Sequence, residues 1–107
     1  MPIGILSSTL TGKTQADGAQ EIELGAYDSA RLIQLQIAVS ATPAAGTLAI
    51  SIKSPGASAY VDLSHTIDLV NGPYLYQIVA FAAAVKITPA SFDADKTYDV
   101  YLVAGDR

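Results

Sequence analysis

The chain has 107 residues, room for one domain large enough to bury a core without covalent staples. It has no cysteine, which excludes disulfides and thiolate metal sites. Its net charge is −4, and its six basic residues (Lys13, Arg31, Lys53, Lys86, Lys96 and Arg107) are scattered singly, so no basic face for nucleic-acid phosphates can be assembled. Only 15% of residues are charged while 50% are hydrophobic, against about a quarter charged in a typical soluble domain. The surplus of Ala, Ile, Leu and Val points to a large subunit interface; the alternative is an Ala-rich small core.

Met1-Pro-Ile-Gly-Ile-Leu6 has neither a basic segment nor a long apolar one, so no signal peptide is expected. Residues 1–20 are rich in Ser, Thr and Gly but carry Ile3, Ile5, Leu6 and Leu10. Four aliphatic side chains are costly to leave in water, so this stretch is expected to be an extended N-terminal arm, lying along a sheet edge of its own or of a neighbouring subunit. Deleting such an arm is expected to leave the rest folded and to weaken assembly. The domain proper is then residues 21–107.

Glu21-Ile-Glu-Leu24 alternates as a strand with Ile22 and Leu24 inward, and residues 25–29 have turn chemistry. Arg31 to Ser40 places Ile33, Leu35, Ile37 and Val39 on one face, and Thr47 to Lys53 does the same with Leu48, Ile50 and Ile52. Pro43 and Gly46 lie between them, which predicts a long hairpin. Ser54-Pro-Gly56 is a tight turn. From Val61 to Leu69 the odd positions are apolar, with His65 in register at an expected bend beside Ser64. Asn71-Gly-Pro73 marks a turn.

Tyr74 to Ala80 is apolar on both faces, the pattern of a strand covered on both sides, a strand at an interface, or a buried helix; strand is the reading adopted. The window from Tyr74 to Ile87 is too short for a membrane span and is interrupted by Gln77 and Lys86, so no membrane segment is expected and the chain is expected to be made in a cytoplasm. Ala84 to Thr88 alternates, with Pro89 expected to stop the ladder. Thr97 to Val103 puts Tyr98, Val100 and Leu102 inward and Asp99 and Tyr101 outward. About eight short strands at this spacing predict an all-β protein, an antiparallel β-sandwich of jelly-roll or immunoglobulin-like topology.

No catalytic constellation is visible, and no enzyme activity is expected. His65 is the only histidine, and on a strand its neighbours Ser64 and Asp62 cannot converge with it as nucleophile and orienter. Asp93, Asp95 and Asp99 lack the Gly and closing Glu of a calcium loop, so no metal or cofactor is expected. Among the six tyrosines, Tyr60, Tyr74, Tyr76 and Tyr101 are the candidates for an exposed surface, either a protein interface or a sugar-stacking platform, while Tyr98 belongs to the core. With Ile3, Ile5, Leu6 and Leu10, these four tyrosines are the candidate interface residues.

Two stretches resemble known families. Phe92-Asp-Ala-Asp-Lys-Thr-Tyr98-Asp-Val100 is similar to the late strand of fibronectin-type and immunoglobulin-like sandwiches, where a Tyr closes a corner, although this chain has no Trp for such a core. Gly46-Thr-Leu-Ala-Ile-Ser-Ile-Lys-Ser-Pro-Gly56 and Ala84-Val-Lys-Ile-Thr-Pro-Ala-Ser-Phe-Asp-Ala-Asp-Lys-Thr-Tyr98 together resemble the small β-sandwich structural proteins of tailed bacteriophages. That resemblance implies a virion protein that decorates or cements the head lattice or sits at a tail part. It further implies a homo-oligomer, often a trimer, with the major capsid protein or a tail protein as partner. The alternative is a carbohydrate-binding sandwich module using the tyrosines.

Overall fold

Alternation along each strand leaves one apolar face per strand, and the architecture follows from stacking those faces in two layers. A computed structural model of the chain describes residues 5–24, 31–72 and 74–106, with the side chains of residues 5, 6, 31 and 106 outside that description. The strands are β1 (Ile5–Lys13), β2 (Gln20–Glu23), β3 (Arg31–Val39), β4 (Thr47–Lys53), β5 (Val61–Asp68), β6 (Leu75–Ala80), β7 (Ala84–Ala90) and β8 (Tyr98–Asp106). They form two four-stranded antiparallel sheets, β1-β8-β3-β6 and β2-β7-β4-β5. Of the two topologies left open by the sequence, this strand order is that of a jelly roll. A single 3-10 turn, Gln15–Asp17, joins β1 to β2 and is closed by a Thr14–Asp17 capping box.

The inward faces meet in one core. Ile33, Leu35 and Ile37 of β3 and Val100, Leu102 and Ala104 of β8 oppose Leu48 and Ile50 of β4 and Val85 and Ile87 of β7, all 4% exposed or less. Fully burying such an aliphatic side chain contributes about 1.5–3 kcal/mol before the entropy of ordering it.

β3 and β4 are not a hairpin. They lie in opposite sheets, and residues 40–46 cross the sandwich between them. The same alternation serves either arrangement, but facing the two apolar stripes across the core buries both completely, whereas pairing them side by side would leave both needing a cover. The crossing is held at both ends. Ser40 N–H donates to Thr97 C=O and Thr97 N–H donates to Ser40 Oγ, and the backbone N–H groups of Ala44 and Ala45 donate to the Asp93 carboxylate at 2.8 and 3.2 Å. Only β4 and β5 are joined as neighbours, through a turn in which Ala57 N–H donates to Ser54 C=O and Gly56 takes a φ of 83°.

The extended N-terminal stretch lies on its own sheet, where β1 pairs with β8 from Ile5↔Gly105 to Lys13↔Tyr98, with a bulge between Leu10 and Lys13. Pro89 does not end β7. It sits opposite Leu48 inside the β4 ladder, and its carbonyl, on the side beyond the end of β2, accepts from the Gln15 side chain at 3.1 Å. A proline is tolerated there because no strand asks for its missing N–H. The expected bend at Ser64 is present as a positive φ of 55°, opposite a register shift between Ala49 and Ser51, and Val61 and His65 on either side of it are exposed. Ile3, Pro73 and the turn expected at residues 25–29 lie outside the described residues.

Candidate interaction surface

The two outer faces of the sandwich differ in chemistry. Since Ile33, Leu35 and Ile37 point inward, β3 presents Leu32, Gln34, Gln36 and Ala38 outward; β8 presents Asp99, Tyr101 and Val103; β6 presents Leu75, Gln77 and Val79. Register lines these up in rows. Ser7, Val103, Gln34 and Gln77 form one row, and Thr9, Tyr101, Gln36 and Leu75 the next. Gln77 Nε2 donates to Gln34 Oε1 at 2.7 Å within its row. Leu32, Leu75, Val79, Tyr101 and Val103 are each 41–48% exposed on this face, and Phe81, just past β6, is 54% exposed. Val61 is the sole large apolar side chain as exposed elsewhere among the described residues. Asp99, at one end, is the only charge on the face among the described residues. It is engaged by Gly12 N–H at 2.7 Å and, at a long 3.4 Å, by the Tyr101 hydroxyl.

The outer face of the second sheet is charged and closed by its own side chains. Glu21, Lys86, Ser51 and Asp62 form a row across it, with Glu23 and Lys53 alongside. Tyr60 lies over this face: its hydroxyl donates to Glu21 Oε1 at 2.7 Å, and the ammonium groups of Lys86 and Lys53 sit 4.7 and 5.3 Å from its ring centre. Burial, then the bond to Glu21 and the nearby Glu21 and Glu23 charges, push the Tyr60 hydroxyl well above the ordinary phenol range.

The residues singled out in the sequence therefore separate. Leu10 packs against the core, and Ile5 and Leu6 belong to β1 with side chains outside the description. Tyr74 also packs against the core and donates its hydroxyl to the Leu69 and Val70 carbonyls at 3.0 and 3.1 Å. Tyr76 is half-buried between the sheets and stacks on His65, ring centres 4.3 Å apart. Only Tyr101 lies on the uncharged face, so the four tyrosines do not converge as a sugar platform. Asp62 accepts the backbone N–H of Ser64 rather than meeting His65. Asp93 ties the 40–46 crossing, Asp95 pairs with Lys96 at 3.2 Å, and among the described residues no three His, Asp or Glu side chains come together as a metal site. Among those residues no helix is long and apolar enough to cross a membrane.

Leu32, Leu75, Val79, Phe81 and Val103 were not among the expected interface residues. Their signal was nonetheless in the sequence, in apolar pairs such as Leu32-Ile33 and Leu102-Val103 and in the doubly apolar run from Tyr74 to Ala80, where one residue of each pair must face outward. Neither a protein-family model nor a curated protein matches this chain.

Proposed function

We propose that this chain is a structural protein of a tailed-bacteriophage virion, a self-associating decoration or cement protein that attaches through its uncharged sheet face to the major capsid protein or to a tail protein. The observation that carries the reading is the outer face of β1-β8-β3-β6, a four-stranded surface of amides, hydroxyls and aliphatic groups with one charge, at its rim, among the described residues. An apolar surface rimmed by polar groups is the form of a protein–protein contact, and depletion of charge at its centre is the compositional mark of an interface core. The jelly-roll topology is one used by viral capsid proteins, and the sequence resemblance points the same way; both are analogies of fold and pattern. The opposite face is charged, with Tyr60 pinned between Glu21 and two lysines, and suits contact with water. A carbohydrate-binding role would rest on Tyr101 alone.

Two measurements test the proposal. Light scattering is expected to give an oligomeric mass, and a mass-spectrometric inventory of purified virions from a phage encoding the chain is expected to contain it in many copies. A monomer that binds glycans and is absent from virions would overturn the reading.

A further inference from the structure

We propose that β6 is the seam of a two-fold homodimer, in which it pairs antiparallel with β6 of a second copy about Gln77. This deepens the self-association half of the reading above and rests on it.

The sandwich has four edge strands, and three carry a guard against pairing. β2 is only four residues long and bears Glu21 and Glu23. β5 is broken by the register shift opposite Ala49–Ser51, by the positive φ of Ser64 and by Asp62 and Asp68. β1 carries a bulge between Leu10 and Lys13, the charge of Lys13, and hydroxyl side chains at Ser7 and Thr9 on its outer face. β6, Leu75-Tyr-Gln-Ile-Val-Ala80, has no charge, proline, glycine or register shift. Such a segment on an edge is a ready template for another strand.

The backbone direction defines how it pairs. Ile37 N–H donates to Tyr74 C=O at 2.9 Å, so Tyr74 faces β3. Backbone groups alternate sides along a strand, so Tyr76 and Ile78 also face β3, while Leu75, Gln77 and Val79 direct their N–H and C=O groups to the open edge. No backbone bond among the described residues uses those edge groups. Three outward residues spaced by two are self-complementary when the strand is turned about its centre: Leu75 meets Val79 of the second copy, Gln77 meets Gln77, and every donor finds an acceptor. The same pairing brings the exposed Leu75 and Val79 side chains together and extends the Gln34–Gln77 row across the axis as a four-amide ladder. A second copy fits this edge because it supplies the matching uncharged strand, and the joined molecules present one continuous eight-stranded uncharged face.

The chain has no cysteine, so one introduced thiol reports the seam cleanly. Directly paired residues in a hydrogen-bonded site lie about 5.5 Å apart at Cα, inside the disulfide range of about 4.4–6.8 Å. Gln77→Cys is expected to form a disulfide-linked dimer under mild oxidation, while Thr9→Cys on β1 and Thr88→Cys on β7 stay monomeric on a denaturing gel. The unsubstituted chain is expected to show a dimer mass by light scattering. Val79→Lys, with an unchanged circular dichroism spectrum, is expected to weaken dimerisation about tenfold, because the apolar cross-strand contact is lost at both Leu75–Val79 pairs of the seam. A trimer, or an oligomer cross-linked through Thr9→Cys rather than Gln77→Cys, would overturn the β6 seam and leave self-association standing. A monomer at all concentrations would overturn both.

Discussion

Gly46 and Phe92 are packed so closely that a Cβ on the glycine would lie 2.7 Å from Phe92 Cδ1 and 3.0 Å from its Cα. Gly46 sits where the 40–46 crossing enters β4, at a φ of 146°, and Phe92 caps the same end of the core. A methyl group there meets backbone as well as ring, so the site cannot relax by a rotamer change alone. Gly46→Ala is expected to destabilise the fold by about 2–3 kcal/mol, from overpacking and from strain at a positive φ. Denaturant unfolding measures it; a loss below half a kilocalorie, about the size of a surface effect, would mean that the crossing yields.

Tyr98 lies fully buried with its ring edge-on to Phe92, centroids 5.8 Å apart, and its hydroxyl has no hydrogen-bond partner among the described residues. Among the described residues, the corner bond suggested by the fibronectin-like resemblance is therefore not made. A buried unsatisfied hydroxyl costs about 1–3 kcal/mol, so Tyr98→Phe is expected to be neutral or to raise stability by about 1 kcal/mol. A clear loss of stability on that substitution would reveal a partner for the hydroxyl.

The same burial, with the Asp17 charge adding to it, pushes the Tyr98 hydroxyl up to about 12 from an ordinary value of 10.0. The folded state then holds its proton more tightly than the unfolded one. The stability this represents is complete below pH 10 and is lost as the pH rises towards 12. Absorbance titration is expected to find at least one tyrosine that ionises only as the chain unfolds; six tyrosines titrating together near pH 10 in folded protein would contradict this.

Acid acts through other groups. Asp68 is held below the ordinary carboxylate range by the backbone N–H of Val70 and then by the Asn71 side chain, and Asp17 by Thr14. Both are depressed, so their contribution is present above about pH 4 and fades as the pH falls below it. The denaturation midpoint of the native chain is expected to drop over that range, and the Asp17→Asn, Asp68→Asn double variant to drop less; parallel pH profiles for the two proteins would exclude these carboxylates as the cause.

Two changes probe the layers themselves. Ile50→Ala and Ile37→Ala, from facing sheets, are each expected to cost about 2–5 kcal/mol through lost transfer energy and a cavity. Deleting residues 1–12 removes most of β1 and strips the ladder from β8, the strand that carries Val100, Leu102 and Ala104 into the core. The arm, expected from the sequence to serve assembly and not folding, is thus expected to be needed for stability, and thermal melts of the truncated chain check it. A truncated chain with an unchanged midpoint would mean that β8 holds its place through β3 alone.

Period-two patterning by itself determined the strands around Ile22 and at residues 33–39, 48–52, 85–87 and 98–102, which side of each is buried, and the all-β class, whereas β1 reads only as an extended arm and β6 as apolar on both faces. Ile33, Leu35 and Ile37, Leu48 and Ile50, and Tyr98, Val100 and Leu102 all face inward as their spacing requires. This much is local, because alternation is a property of one strand's backbone. Which strand lies beside which is not local. β3 and β4 carry the same stripe whether paired or opposed, and only the closure of both sheets over one core puts residues 40–46 across the sandwich. The contrast between the two outer faces was equally out of reach of the sequence. Leu32, Gln34, Leu75, Gln77, Tyr101 and Val103 come from three separate segments, and only the β8-β3-β6 register assembles them into one uncharged surface. Tyr60 reads as an exposed aromatic until folding carries it over Lys53, Lys86 and Glu21. Burial follows from the neighbours that pairing supplies, and pairing is settled by the whole sandwich at once.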